Sequence, residues 1–98
     1  MFKVNGKKMD LAVKSFMANP FYKKEYEDAP SDVCKEYIKF RWYWSKYNEP
    51  SDEEYAEYRE RLWDKFTVDD WKYIQSLSVG TPLWSVCKKH IETLKNKG

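Results

Sequence analysis

The chain has 98 residues, of which 18% are aromatic, and a formal net charge of +2. This length suffices for one domain covering residues 1–98, and the low net charge together with many large rings argues against disorder. No stretch approaches the roughly 18 apolar residues of a membrane span, so we expect no membrane partner.

The first segment predicts a turn followed by a helix. Asn5-Gly6 is typical of a tight turn between two strands, so we expect residues 1–9 to form a short β-hairpin or a loop. Asp10 has the side chain of a helix cap, which predicts a helix over residues 11–18. Its inward face is one of two sets: Leu11, Ala12 and Phe16, or Met9, Val13 and Met17.

The next two helices have clear boundaries. Asn19 and Pro20 predict the start of a short second helix, which Ala29-Pro30 ends. Ser31 is expected to cap the third helix, Asp32–Tyr47, and residues 48–50 end it. Apolar residues recur along this helix at the spacing of one continuous face. They are Val33, Tyr37, Phe40, Trp44 and Tyr47.

Three further helices are predicted in the second half of the chain. Ser51-x-x-Glu54 and Thr67-x-x-Asp70 have the pattern of capping boxes, and the first of these helices is expected to end near residue 65. A turn at residues 78–80 leads to a last helix beginning at Pro82, and residues 95–98 are expected to fray. The faces that these helices would bury contain Tyr55, Tyr58, Leu62 and Phe66, then Val68, Trp71, Ile74 and Leu77, then Leu83, Cys87, His90, Ile91 and Leu94. The predicted fold class is all-α, a compact single-domain bundle of five or six short helices.

Residues that could support catalysis are sparse. His90 is the single histidine, and with Cys87 it forms a Cys-x-x-His pair, whereas a structural zinc site needs four ligands. We therefore predict no enzyme activity, no cofactor and no metal site, and an enzyme or enzyme subunit centred on His90 is the weakest alternative. Cys34 and Cys87 are expected to be buried free thiols. The charged N-terminus lacks the apolar run of a signal peptide, which indicates a cytoplasmic protein.

Two features favour a protein-binding function. Residues 49–70 contain nine acidic and three basic residues, whereas both ends of the chain are basic. Trp42, Tyr43 and Trp44 are consecutive and cannot all face one core, because successive helical residues lie about 100° apart. Either this helix is central and surrounded by the others, or it leaves aromatic area at the surface. We predict a small non-enzymatic intracellular protein-binding module, an adaptor or inhibitor of the kind that mobile elements encode. The predicted partner-binding residues are Trp42, Tyr43, Glu53, Glu54, Glu57 and Glu60.

The alternative function is a DNA-binding regulator. The segment from Lys72 to Ile91 can be aligned with a helix-turn-helix, in which Ser76 takes a small-residue position, Val79 an apolar position and Gly80 the turn. The acidic segment that precedes it argues against this function, because attraction to phosphates dominates affinity for DNA. The side chains that would then face a major groove are Thr81, Trp84, Ser85, Lys88 and Lys89.

Overall fold

A computed structural model describes residues 3–97, except for the side chain of Lys97, and over this range the chain is all-α with no strand. The six helices are α1 (Gly6–Met17), α2 (Pro20–Glu27), α3 (Asp32–Tyr47), α4 (Asp52–Trp63), α5 (Val68–Leu77) and α6 (Pro82–Lys97). The chain divides into two compact units, residues 1–65 with α1 to α4 and residues 66–98 with α5 and α6. The single-domain organisation expected from chain length stays a prediction. No helix within residues 3–97 combines the length and the apolar content needed to cross a membrane.

The N-terminal hairpin prediction is wrong for the residues that the structure describes. Asn5 is the N-cap of α1, and its side-chain Oδ1 accepts a hydrogen bond from the backbone N–H of Lys8 at 3.1 Å. Asn is as good at a helix cap as in a turn, so Asn5-Gly6 begins a helix instead of joining two strands. Asp10, the expected cap, lies inside α1 and is exposed. Phe2, in the first expected arm, lies outside the described residues.

Helix α1 packs against α3 by one face. Ala12 is fully buried on this face, whereas Leu11 is 56% exposed, so the first expected inward set is wrong at Leu11 and right at Ala12 and Phe16. The other residues of the inward face are half-buried. They are Met9, Val13, Phe16 and Met17.

The predicted boundaries of α2 and α3 are confirmed. The side chain of Asn19 caps α2 by accepting from the backbone N–H of Phe21 at 2.9 Å, and Ser31 caps α3 through the N–H of Cys34 at 3.1 Å. Helix α3 ends at Asn48, which adopts a left-handed backbone conformation with φ 53°. Asn tolerates this conformation better than most residues, so local chemistry sets both ends of α3.

Helix α3 is the centre of the N-terminal unit, because α1, α2 and α4 all pack against it. Trp42 stacks on Phe16 of α1 with ring centroids 5.2 Å apart, and it also lies 5.9 Å from the ring of Tyr26 on α2. On another side of α3, Phe40 stacks on Tyr58 of α4 at 4.2 Å. A helix surrounded in this way buries more than one face.

Helix α4 ends at Trp63, slightly before the expected residue 65, and its cap differs in detail from a capping box. Ser51 Oγ accepts from the backbone N–H of Glu54 at 3.3 Å, while the Ser51 hydroxyl donates to the Glu54 carboxylate at 3.1 Å. The acidic first turn suits the positive end of the helix dipole. The predicted helix start at Ser51 is therefore confirmed.

The C-terminal unit is a pair of packed helices, α5 and α6. The Thr67–Asp70 capping box is confirmed, since the Asp70 carboxylate accepts from the Thr67 N–H at 2.8 Å and Thr67 Oγ1 accepts from the Asp70 N–H at 3.4 Å. Residues 95–97 are helical, the expected fraying of residues 95–98 stays a prediction, and Gly98 lies outside the described residues. The predicted buried face of α5 and α6 is confirmed at its centre. The buried residues there are Trp71, Ile74, Cys87 and Ile91.

Candidate protein-binding surface

One face of α4 carries a row of carboxylates, which we name the acidic stripe and define as Glu53, Glu57, Glu60 and Asp64. Their spacing of four, three and four residues places them on one side of the helix. All four side chains are exposed. With a rise of 1.5 Å per residue the stripe is about 16 Å long, so it presents a linear array of negative charge.

Helix stability does not account for the acidic stripe. The helix dipole favours acids such as Glu53 in the first turn, but Glu60 lies in the last turn of α4 and Asp64 is its C-cap, where cations are favoured. Like charges four residues apart also destabilise a helix by about 0.2–0.5 kcal/mol per pair. Within the described residues Glu57 forms an ion pair with Arg61, whose Nη2 lies 3.1 Å from Glu57 Oε1. The remaining charge calls for an explanation outside the helix itself.

Glu54, which the sequence analysis placed on the binding surface, is part of the helix cap. Its carboxylate accepts from the Ser51 hydroxyl, and the residue is half-buried. Glu53, Glu57 and Glu60 remain exposed as that hypothesis requires. Asp64 was missed, although the spacing of the other three residues points to it.

Trp42 and Tyr43, the two rings assigned to the surface from sequence, lie in the core. Trp42 is 5% exposed and Tyr43 is fully buried. Of the two alternatives for these consecutive rings, the central and surrounded helix is the one found, because α1, α2 and α4 cover several faces of α3. The hypothesis needed exposed rings, so these two residues cannot form the binding surface. Among the side chains that the structure describes, the large apolar ones that are exposed are Leu11, Phe21, Val79 and Trp84.

The hydroxyl of Tyr43 belongs to a polar network that links α1 to the loop after α3. It donates to Glu49 Oε2 at 3.0 Å, and Lys8 Nζ lies 2.7 Å from Glu49 Oε1. Hydrogen bonds from Lys8 and Tyr43 lower the pKa of Glu49, and the bond to Glu49 raises the pKa of Lys8. Burial, followed by the hydrogen bond to Glu49, raises the pKa of Tyr43. The network therefore holds its carboxylate ionised and its phenol neutral.

The alternative DNA-binding face on α6 is exposed, but the helix-turn-helix alignment is not met throughout. Gly80 occupies the turn with φ 83°, as the alignment requires. Val79, expected to be apolar and packed, is 73% exposed. Ser76 is also exposed, with its hydroxyl donating to the Tyr73 carbonyl at 2.6 Å. Helix α5 ends at Leu77. Val79 therefore lies beyond the helix and does not turn inward as the alignment requires.

The five residues named for DNA binding, at the start of α6 and immediately before it, share one helical face. Their spacing of three, one, three and one residues follows the helical repeat. Trp84 is among them, and Lys88 Nζ lies 5.8 Å from the centroid of its ring. The complete set that the sequence analysis named is exposed. It consists of Thr81, Trp84, Ser85, Lys88 and Lys89.

His90 and Cys87 have packing roles in the C-terminal unit. Cys87 is fully buried, and the imidazole of His90 stacks on the indole of Trp71 with centroids 4.1 Å apart. In residues 3–96 no group of three or more His, Cys, Asp or Glu side chains could hold a metal ion. Both cysteines are free and buried, as the sequence analysis predicted.

Comparison of the chain with protein-family models, with curated proteins and with solved structures gave no match. The functional assignment therefore depends on the arrangement of the chain's own side chains. The sequence analysis also missed a second feature of the N-terminal unit, the placement of Arg41 and Arg59 against aromatic rings. Arginine packed on rings is common at binding surfaces, and its signal in the sequence is the helical spacing from Tyr37 to Arg41 and from Arg59 to Trp63.

Proposed function

We propose that the protein is a non-enzymatic protein-binding module that binds a basic surface of a partner protein through the acidic stripe of α4. The observation that supports this most directly is the exposed row of carboxylates continuing to the C-terminal end of α4, where it opposes the helix dipole. Carboxylates that destabilise the end of their own helix are expected where they bind a partner.

The chemistry of this surface suits an adaptor or an inhibitor. A linear array about 16 Å long matches a basic groove or a row of lysine and arginine side chains on the partner. Complementary charge accelerates encounter and excludes partners of the wrong sign, and salt screens it. Binding through the stripe would cover the basic surface and remove it from other anionic ligands, which is how an inhibitor would act.

The test is affinity capture with three versions of the protein. The first is the wild type, and the second carries Glu53→Gln, Glu57→Gln and Glu60→Gln. The third is a charge-matched control with Asp10→Asn, Glu27→Gln and Glu92→Gln, which are exposed positions outside the stripe. Both variants lose three negative charges, so only the location of the change differs.

A partner that the wild type and the control retain, and that the stripe variant loses, supports the proposal. Its retention should fall as salt increases, and cross-links to α4 should map to lysine-rich segments of the partner. Circular dichroism on all three proteins verifies that folding is unchanged. Equal retention by the stripe variant, or the absence of any partner at moderate salt, overturns the proposal.

We propose DNA binding through α6 as a second candidate function, supported by the shared exposed face that carries Trp84, Lys88 and Lys89. A gel-shift titration with Lys88→Glu plus Lys89→Glu tests it, with Lys7→Glu plus Lys23→Glu as the charge-matched control. Loss of binding in the α6 variant alone supports this function, because phosphate contacts depend on where the cations lie. No binding at low salt, or an equal loss in both variants, excludes it.

A further inference from the structure

Two arginines of the N-terminal unit lie against the same group of aromatic rings. On α3, the Cζ atom of Arg41 is 5.8 Å from the centroid of the Tyr37 ring. On α4, the Cζ atom of Arg59 is 4.4 Å from the Trp63 ring and 5.6 Å from the Tyr55 ring. The Tyr37 and Trp63 rings are themselves 6.0 Å apart. Packing of α3 on α4 therefore brings all five residues into one arginine–aromatic cluster.

The charges of both arginines in the cluster influence the hydroxyl of Tyr55. Burial raises the pKa of Tyr55, while the charges of Arg41 and Arg59 and a hydrogen bond from the Tyr37 hydroxyl act in the opposite direction. Both cations therefore act on the Tyr55 oxygen. The cluster therefore combines positive charge from α3 and α4 with the hydroxyl groups of Tyr37 and Tyr55.

The pairing of the two arginines in the cluster differs from that of Arg61. Among the described residues neither Arg41 nor Arg59 forms an ion pair, and the buried Nε of Arg59 has no hydrogen-bond partner. Glu25 is close enough for the charge of Arg41 to lower its pKa, although burial raises that pKa more strongly. Arg61, one turn away from Glu57, shows the usual arrangement of an arginine paired with a carboxylate.

We propose that the arginine–aromatic cluster binds the phosphate group of a small molecule. A guanidinium presents a planar fork of donors that fits two oxygens of a phosphate, and two such groups match the charge of a phosphate dianion. The aromatic rings hold Arg59 by cation–π contact and limit its rotamers, so less order is lost on binding. This site is independent of the acidic stripe, whose partner carries the opposite charge.

The experiment is a titration of the full chain followed by two-dimensional NMR of the indole and guanidinium N–H groups. Inorganic phosphate is the first probe, with sodium chloride at the same ionic strength as its reference. AMP is the second probe and adenosine its uncharged control, which separates a phosphate on an organic group from free phosphate. Arg41→Gln and Arg59→Lys test the cluster, and Arg61→Gln is the matched control on the same helix. Arg59→Lys keeps a cation over the Trp63 ring and is expected to fold. It therefore still tests the cluster if Arg41→Gln proves unstable.

Saturable shifts of the Trp63 and Arg59 signals with phosphate or AMP, absent with chloride and adenosine, support the site. Arg41→Gln and Arg59→Lys should each weaken binding by roughly tenfold, as expected for the loss of one charge-assisted contact, while Arg61→Gln leaves it unchanged. Shifts that do not saturate, or that respond equally to all three variants, overturn the proposal. A loss of the acidic stripe's partner would leave these results unaffected.

Discussion

The imidazole of His90 lies parallel to the indole of Trp71, with centroids 4.1 Å apart and an angle of 3° between the planes. The pair joins α6 to α5 beside Phe66, whose ring lies 4.9 Å from Trp71 in an edge-to-face arrangement. Trp71 is among the largest fully buried side chains of the protein. The stacking gives His90 a packing role in the C-terminal unit, in keeping with its expected place on the inward face of α6.

Trp71→Ala is expected to lower the free energy of unfolding by about 3–5 kcal/mol, the usual cost of removing a buried large ring. His90→Ala should cost less, and the coupling between the two residues in a double-mutant cycle should be about 0.5–1.5 kcal/mol. Urea denaturation followed by circular dichroism measures all four free energies. Additive effects of the two substitutions would show that the stacked geometry contributes nothing of its own.

Asp70 is expected to be the more important of the two adjacent acids at the start of α5. It is fully buried, and its carboxylate accepts from both the N–H and the hydroxyl of Thr67, at 2.8 and 3.2 Å. Asp70→Ala leaves both donors of Thr67 without their acceptor in the capping box and should lower the free energy of unfolding by about 0.5–2 kcal/mol, the usual cost of a lost cap. The exposed neighbour Asp69 interacts with the helix dipole, so Asp69→Ala should cost about 0.3–1 kcal/mol. Equal losses in thermal or urea denaturation would contradict this ranking.

Most helix boundaries could be predicted from sequence because local chemistry sets them. Ser31 and Asn48 fix the two ends of α3, and Thr67 with Asp70 fixes the start of α5. Asn5-Gly6 was misjudged because the same pair serves a hairpin turn and a helix start. The helix that Asn5 caps packs against α3, and no local pattern contains that contact.

The candidate sites were predictable only where one helix carries the whole pattern. Glu53, Glu57 and Glu60 follow from the spacing along α4. The burial of Tyr43 does not, because it depends on how many helices surround α3. The cluster of Arg41 and Arg59 likewise requires the pairing of α3 with α4, which periodicity along one helix cannot show.

The network of Lys8, Tyr43 and Glu49 should make the N-terminal unit sensitive to acid. Glu49 has a folded-state pKa below its ordinary value because Lys8 and Tyr43 donate to it. Its contribution to stability is therefore present above the unfolded pKa and is lost as the pH falls through the folded pKa. Glu49→Gln should lower the melting temperature near neutral pH, and the difference from the wild type should shrink as the pH falls below the ordinary pKa of a glutamate and through the lowered pKa of Glu49.

The stability of the same network at high pH depends on the charge of Lys8. The bond to Glu49 raises the pKa of Lys8, so its contribution is present below the unfolded pKa and is lost as the pH rises through the folded pKa. Tyr43→Phe keeps the Lys8–Glu49 pair and should retain part of the acid sensitivity that Glu49→Gln removes. Thermal melts over the full pH range measure these effects. A constant difference between wild type and Glu49→Gln at every pH would contradict the role of the charge.

Gly6 and Gly80 both have space for a Cβ atom, but substitution by alanine should change the free energy of unfolding in opposite directions. Gly80 has φ 83°, a conformation that costs an L side chain roughly 1–2 kcal/mol, whereas Gly6 begins α1 and has no positive φ. No other side chain lies within 4 Å of the Cβ position at either glycine, so the backbone decides both outcomes.

Gly80→Ala is expected to lower the free energy of unfolding by about 1 kcal/mol, and Gly6→Ala to raise it by about 0.4–1 kcal/mol through the unfolded chain. Urea denaturation of the two variants checks the signs, and Gly80→Asn should recover part of the loss because Asn tolerates the left-handed region. Stabilisation by Gly80→Ala would mean that the turn between α5 and α6 does not hold this conformation in solution.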